Sequence, residues 1–179
     1  MIHFRFQSRK ALEAVQWMLR QRERLDFHTI LKAAYFADRK LLNAVGRPVF
    51  GAEYRAMNYG PVPVEIYEML KCEPYWLSEL RLEEYPWRRE GYHVRLEGAP
   101  ANELRHLSKL DMQALEEGFR KAACMTFDER TRATHGMDWV RGLDRPHARM
   151  DYADMIDPDN PRREDIIAEL ERLGPRIAL

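Results

Sequence analysis

The sequence predicts a mainly α-helical domain of the α+β class, a compact helical fold with a small antiparallel β-hairpin or sheet. Three observations lead to this prediction. Apolar residues recur every three or four positions through several segments, which is the spacing of an amphipathic helix. One stretch, Tyr92 to Glu97, alternates apolar and polar residues, as a half-buried strand does. Several of the helical segments also begin with a residue type that caps helices.

Two helices are expected in the first 47 residues. Ser8 can cap the first, which should end in the charged run Arg20 to Arg24 and whose inward face is Ala11, Leu12, Val15, Met18 and Leu19. Asp26 can cap the second, whose apolar stripe is Phe27, Ile30, Leu31, Ala34, Leu41, Leu42 and Val45. Gly46 is a plausible stop for this helix, because glycine tolerates the left-handed conformation common at helix C-termini.

The most constrained stretch of the chain is the run Tyr59-Gly60-Pro61-Val62-Pro63. Two prolines fix φ at alternate positions and push the residues before them, Gly60 and Val62, toward extended conformations. The run therefore predicts a rigid turn. Pro63 is well placed for the first turn of a helix, where its missing N–H group costs nothing.

That helix is expected to run to about Lys71 and to end at Pro74, with Ile66, Met69 and Leu70 facing inward. Residues 75–97 lose the helical period. Glu90-Gly91 can form the turn of a hairpin that leads into the alternating strand from Tyr92.

The second half of the chain predicts a loop at 98–102 and then three helices. Ser108 and Asp111 resemble a capping box for a helix to about Ala123, and Thr126 or Asp128 can cap a short helix after it. Residues 144–161 are rich in aspartate and proline and are expected to form a loop. A last helix should run from Pro161 to Leu173 and stop at Gly174-Pro175. We expect one domain over residues 1–142, with the acidic loop and C-terminal helix of residues 143–179 packing on it.

The charge of the chain is balanced overall but unevenly distributed. The 179 residues have a formal net charge of +0, which argues against a strongly basic nucleic-acid coat protein and against an acidic tail protein. Residues 1–47, however, contain ten basic and four acidic side chains. The first helices carry the basic residues Arg9, Lys10, Arg20, Arg22, Arg24, Lys32, Arg39, Lys40 and Arg47. No nucleic-acid-binding motif accompanies them, so a solvated basic face, or a docking face for an acidic protein, is the favoured interpretation.

No residue pattern in the sequence points firmly to catalysis, and we expect a protein without enzymatic activity, metal or cofactor. Phosphate-binding glycine loops and metal-binding histidine spacings are absent. Cys124 with His135 could form a thiol–imidazole pair, and His135 with Asp138 could share a helix face; an inert thiol and a hydrogen-bonded histidine are the favoured alternatives. The two cysteines, the absence of a signal-peptide pattern and the lack of a stretch of about 20 apolar residues predict a cytoplasmic protein outside the membrane.

Asp38 is a candidate structural or binding residue. It lies on or beside the inward stripe of the second helix, where a carboxylate needs a partner or backbone N–H donors. One hypothesis is that Asp38 holds a rigid turn, such as Tyr59 to Pro63, or pairs with an arginine or with His135. The alternative is an edge position with the carboxylate in water.

Several landmarks resemble one known family. They are the runs 31–38 (LKAAYFAD), 46–51 (GRPVFG) and 54–63 (YRAMNYGPVP), then Ile66-Tyr67, the run 107–111 (LSKLD), and Thr134-His135 followed by Trp139. Together they resemble the Panacea domain, the SocA-like antitoxin family of bacterial and phage toxin–antitoxin systems. The resemblance covers about residues 10–140.

The resemblance implies a non-enzymatic antitoxin that binds a cognate protein toxin and neutralises it. For the SocA-like branch it further implies a proteolytic adaptor that delivers the toxin to the ClpXP protease. The candidate residues for partner binding, or for a structural role in the motif, are Asp38, Tyr59, Gly60, Pro61, Val62, Pro63, His135 and Trp139. A nucleic-acid-binding regulator that uses the basic N-terminal helices is the alternative function.

Overall fold

The computed structural model describes residues 1–97 and 104–173. Its helices are α1 (Ser8–Gln21), α2 (Phe27–Val45), α3 (Val64–Leu70), α4 (Pro74–Leu80), α5 (Lys109–Ala123), α6 (Phe127–Thr134), α7 (Met137–Leu143), α8 (Tyr152–Met155) and α9 (Arg163–Leu173), with a 3-10 turn at Pro146–Ala148. The strands are β1 (Arg24–Asp26), β2 (Tyr54–Met57), β3 (Gly60–Pro63), β4 (Trp87–Glu90) and β5 (His93–Leu96). The strands form a three-stranded antiparallel sheet in the order β1-β5-β4 and a separate hairpin of β2 and β3. The predicted α+β class is confirmed.

The central helix of the fold is α2, which is buried along most of its length. Both of its predicted ends are confirmed: the Asp26 side chain accepts a hydrogen bond from the Thr29 amide, and Gly46 ends the helix with a φ of 76°. Helix α5 packs against α2 so closely that a Cβ atom at Gly118 would lie 2.6 Å from the Ala33 carbonyl oxygen. Because glycine has no Cβ atom, Gly118 allows the backbones of α2 and α5 to approach this closely.

The other helix starts follow the capping predictions in part. The Ser108–Asp111 capping box of α5 is confirmed, and Thr126 caps α6 in a second box with Glu129. The prediction for Ser8 was wrong, because Ser8 is the first helical residue of α1 and Gln7 precedes it without a side-chain cap.

The region after α3 differs from the prediction. Pro74 does not merely end a helix; it begins α4, a helix of seven residues, at a position where its missing N–H group leaves no bond unmade. Residues 75–80 show no helical period, because this short helix buries only Trp76 and Leu80. The sequence therefore did not predict α4. The hairpin is confirmed, but its turn lies at Gly91-Tyr92, one residue later than predicted, since Glu90 pairs with His93.

The C-terminal region contains short elements where a loop was predicted. The 3-10 turn and α8 interrupt residues 144–161, and the last helix begins at Arg163, two residues after the predicted start. Ile166 and Leu170 of α9 are buried in the hydrophobic core. The predicted loop at 98–102 and the predicted stop at Gly174-Pro175 lie outside the described residues.

The first residues of the chain pack against its C-terminal region. The Ile2 amide donates a hydrogen bond to the Asp151 carboxylate at 3.1 Å, and the Phe4 ring meets the Tyr152 ring edge-on. Tyr152 in turn donates its hydroxyl to the Ala52 carbonyl oxygen in the interior. The core thus joins residues from both ends of the described chain.

Among the helices in the described ranges, none combines the length and the apolar composition that crossing a membrane requires.

Candidate functional site

The β2–β3 hairpin contains the proline-rich run of the sequence. Tyr54 pairs with Pro63 and Met57 with Gly60, so that Asn58 and Tyr59 form the turn. Gly60 begins strand β3, in line with its predicted extended conformation, but its φ is +99°, a value that residues with a side chain rarely adopt. A Cβ atom there would lie 2.5 Å from Thr134 Oγ1 and 2.9 Å from Lys32 Nζ. Gly60 is therefore required by its conformation and by the groups packed against it.

Backbone carbonyl groups of the hairpin are held by basic side chains of α2. Lys32 Nζ donates to the Pro61 carbonyl oxygen at 2.8 Å, and His28 Nε2 lies 3.2 Å from the Tyr59 carbonyl oxygen. Lys32 is only 1% exposed. The interpretation that Lys32 belongs to a solvated basic face was wrong, because its side chain points into the protein under the hairpin.

Arg130 of α6 completes this basic cluster. Its guanidinium donates to the Ala122 and Met125 carbonyl oxygens and to His28 Nδ1. Because Nδ1 accepts this hydrogen bond, the proton of a neutral His28 must sit on Nε2, which can then donate to the Tyr59 carbonyl. The third guanidinium nitrogen lies 3.4 Å from the carboxylate of Asp26.

Burial and mutual repulsion lower the pKa values of these bases. Burial, with the charge of Lys32 next in importance, lowers the pKa of His28 to about 4. Burial and the Arg130 charge lower the pKa of Lys32 to about 7. Near neutral pH the cluster therefore carries less charge than its four basic side chains His28, Lys32, Arg130 and His135 would carry in water.

His135 and Trp139 support the hairpin from the other side. Their rings stack in parallel with centroids 3.8 Å apart, and Trp139 Nε1 donates to the Met57 carbonyl oxygen at 2.9 Å. Burial lowers the pKa of His135, with the Lys32 charge adding to the effect, and His135 Nε2 is buried without a hydrogen-bond partner among the described residues. The structure does not pair His135 with Asp138, whose Oδ2 accepts the hydroxyl of Tyr35 at 2.6 Å.

Asp38 is fully buried, but its partners differ from those predicted. Its Oδ1 accepts the backbone N–H groups of Val49 and Phe50 at 2.8 and 2.9 Å, and its Oδ2 accepts the Tyr54 hydroxyl. The hypotheses that Asp38 fixes the Tyr59–Pro63 turn, or that it pairs with an arginine or with His135, were therefore wrong. Burial raises the pKa of Asp38 to about 7, against the opposing effect of these hydrogen bonds. Asp38 instead fixes the segment that leads into β2.

The structure gives Cys124 no imidazole partner among the described residues. Its thiol is exposed and lies 3.2 Å from the Lys121 carbonyl oxygen, while His135 stacks on Trp139. Within residues 1–97 and 104–173, no three His, Cys, Asp or Glu side chains are placed together to hold a metal ion.

Exposed apolar side chains lie on the hairpin turn and on the neighbouring helices α6 and α7. We call this surface the hairpin face, and it consists of Met57, Tyr59, Phe127, Met137, Val140 and Leu143. Tyr59 is 60% exposed, and its ring meets the Phe127 ring edge-on at 5.0 Å. Met137, Val140 and Leu143 are spaced by three residues and lie on the exposed side of α7, which packs on β2 through Trp139 and Gly142.

The sequence predicted a rigid turn over Tyr59–Pro63, whereas the structure places the turn at Asn58-Tyr59 and makes Gly60–Pro63 the second strand of a hairpin that was not predicted. Tyr59, Pro61, His135 and Trp139 were predicted, and the structure brings them together. His28, Lys32 and Arg130 were missed because ordinary basic residues on helices are usually solvated. The three-residue spacing of apolar residues on α7 was a signal that could have been used, since a helix with a second apolar stripe often presents it to a partner.

Comparison with known proteins identifies one family. A family model described as "Antitoxin SocA-like, Panacea domain" matches residues 30–140. The match begins later than the resemblance in sequence motifs, which started at about residue 10. It includes most of α2, the hairpin and the first residues of α7. Searches of curated proteins and of solved structures gave no match.

Proposed function

Because the chain belongs to the SocA-like antitoxin family with a Panacea domain, we propose that it binds and neutralises a cognate protein toxin in the bacterial cytoplasm. The action is binding without catalysis. The observation that carries the proposal is the hairpin face, a group of exposed apolar side chains around the family's proline-rich motif.

The composition of the hairpin face supports a protein partner. Outside functional surfaces, soluble proteins rarely expose contiguous apolar patches, and aromatic residues and methionine are enriched at the centres of protein interfaces. Six of the twelve large apolar side chains that are exposed in the described ranges belong to this face, on the hairpin turn, α6 and α7.

The rigidity of the hairpin is a second argument. The carbonyls of Met57 and Pro61 accept hydrogen bonds from Trp139 and Lys32, and the prolines restrict the backbone further. A turn that is already ordered loses little conformational entropy when a partner binds it, so more of the contact energy appears as affinity. Tyr59 at the tip is the expected anchor, because a large aromatic ring supplies contact area at low entropic cost.

Tyr59→Ala tests this proposal, with Tyr75→Ala as the matched control. Both tyrosines are well exposed, at 60% and 67%, and each ring meets one aromatic neighbour edge-on at 5.0 Å. Binding to the product of the neighbouring gene should weaken by about 30-fold in Tyr59→Ala, as for an interface hot spot, and remain unchanged in Tyr75→Ala.

A second pair of variants probes α7. Leu143→Glu and Leu110→Glu place a charge at leucines that are 47% and 48% exposed, on α7 and α5 respectively. We expect only Leu143→Glu to abolish co-purification and rescue of growth. No complex between the wild-type proteins, or equal effects of the two members of each pair, would contradict the proposal.

Family membership also supports a finer proposal, that the chain is an adaptor that delivers the bound toxin to the ClpXP protease. Purified ClpXP should then degrade the toxin faster when the antitoxin is added, and Tyr59→Ala should remove this acceleration. Toxin degradation at the same rate with and without the antitoxin would leave neutralisation by binding as the whole function.

A further inference from the structure

A basic cavity lies at the N-terminal end of α1, away from the hairpin. Its volume is about 660 Å³, and the charged groups that line it are Arg5, Arg9, Lys10, Arg105, His106 and Glu79. We propose that this cavity is a second interaction site, which binds an acidic peptide segment of a protein partner.

Two of the basic groups are available to a ligand. Lys10 is 3.0 Å from the Asp111 carboxylate, and His106 Nδ1 is 2.7 Å from Glu13 Oε1, so both are already engaged. Arg5 and Arg9 are exposed, and neither forms an ion pair with any residue in the described ranges. Two unpaired guanidinium groups beside one cavity are suited to carboxylates, which arginine binds through two parallel hydrogen bonds.

The surroundings favour a peptide over a nucleic acid. Glu79 lies in the cavity wall and would repel a continuous phosphate backbone, whereas a peptide can place its carboxylates beside the arginines and away from Glu79. Phe6 also lines the cavity and packs edge-on against Trp76 at 5.2 Å. This apolar wall can contact the aliphatic side chains of a peptide.

Phe127 of the hairpin face lies toward the opposite end of α1 from the cavity. The first turn of α1 lines the cavity, and Arg22, just beyond the last turn, donates to the Ala123 carbonyl oxygen near the start of α6. A helix of 14 residues is about 20 Å long, which is the separation that α1 sets between its two ends. Arg5 and Arg9 also lie outside residues 30–140, the segment that matches the family. The cavity therefore combines residues of the matched segment, such as Glu79 and His106, with arginines that lie before it.

The variant Arg5→Gln/Arg9→Gln tests this inference, with Arg120→Gln/Arg162→Gln as a control that removes the same charge from exposed positions elsewhere. The probe is a short fluorescent peptide of alternating glutamate and glycine, measured by fluorescence anisotropy with the full chain. We expect the wild-type protein to bind it, with affinity that falls as salt is added. The cavity variant should bind about tenfold more weakly, and the control variant should match the wild type.

Three outcomes would overturn the inference: no binding of the acidic peptide, an equal loss in both double variants, or duplex DNA that binds the same arginines more tightly than the peptide does. The thermal unfolding of each variant is measured as well. If it is unchanged, a loss of binding results from the change in the cavity and not from unfolding. Tyr59→Ala should leave peptide binding intact, so this result is separate from the outcome for the toxin-binding proposal.

Discussion

The ammonium nitrogen of Lys32 lies 2.8 Å from the Pro61 carbonyl oxygen, and no carboxylate in the described ranges forms an ion pair with it. The side chain is buried between α2 and the hairpin, beside Arg130. A buried cation without a counter-charge is costly, and the protein lowers the cost by releasing the proton near neutral pH.

This arrangement predicts a pH dependence of stability. The pKa of Lys32 falls from its usual 10.5 to about 7 on folding, so between these values the unfolded chain binds more protons than the folded one. The free energy of unfolding should therefore rise with pH across this window, by at most about 1.4 kcal/mol per pH unit from this group. Below pH 7 Lys32 is protonated in both states, so the full cost of burying its charge should lower the stability there. Lys32→Met should flatten this slope.

Urea unfolding at several pH values from 7 to 10 measures the effect, and Lys109→Met, at an exposed lysine, is the control. The difference between the wild type and Lys32→Met is the informative quantity, because other groups titrate in the same range. Parallel curves for these two proteins would show that Lys32 does not carry the pH dependence.

Asp38→Ala should destabilise the fold strongly. The change leaves two backbone N–H groups and the Tyr54 hydroxyl without their acceptor in the interior, which should cost about 3–5 kcal/mol and lower the melting temperature by about 10 °C. Asp159→Ala, at an exposed aspartate, should change it little. A shift of a degree or less in Asp38→Ala, measured by circular dichroism, would rule out this role for Asp38.

Gly118→Ala should disrupt the packing of α2 on α5. The new Cβ atom would lie 2.6 Å from the Ala33 carbonyl oxygen and 2.9 Å from the Ala37 nitrogen, and both are backbone atoms that cannot rotate away. We expect a loss of about 3 kcal/mol or more in calorimetric unfolding, because the helices must separate. At Gly91 a Cβ atom meets nothing within 4 Å, so Gly91→Ala should cost only about 1 kcal/mol, the cost of its positive φ. Similar losses in the two variants would refute the close-packing argument.

Trp139→Phe should loosen the hairpin turn without unfolding the protein. The ring can still stack on His135, but the hydrogen bond to the Met57 carbonyl oxygen is lost, which should cost about 1 kcal/mol. Amide hydrogen exchange should quicken in the hairpin while the amides of α5 stay protected. Uniform exchange across both elements would show that Trp139 acts on global stability instead.

The parts of the fold that the sequence predicted are those governed by local chemistry. Asp26, Gly46 and the Ser108–Asp111 box act within one helical turn, so their roles follow from neighbouring residues. The partners of Asp38 and Lys32 lie 11 to 29 residues away along the chain, and which groups meet there depends on how the hairpin packs on α2. Helix α4 was missed because only two of its residues, Trp76 and Leu80, are buried, which is too few to show a helical period.

The hydrogen bond between Ile2 and Asp151 has a consequence for synthesis of the protein. Residues near the start of the described chain contact a region that is translated 149 positions later. Met155 and Ile156, both buried in the core, also emerge late. During translation the hydrophobic core therefore stays incomplete until these residues are synthesised. A chain that stopped at residue 140, where the family match ends, would leave part of the core exposed.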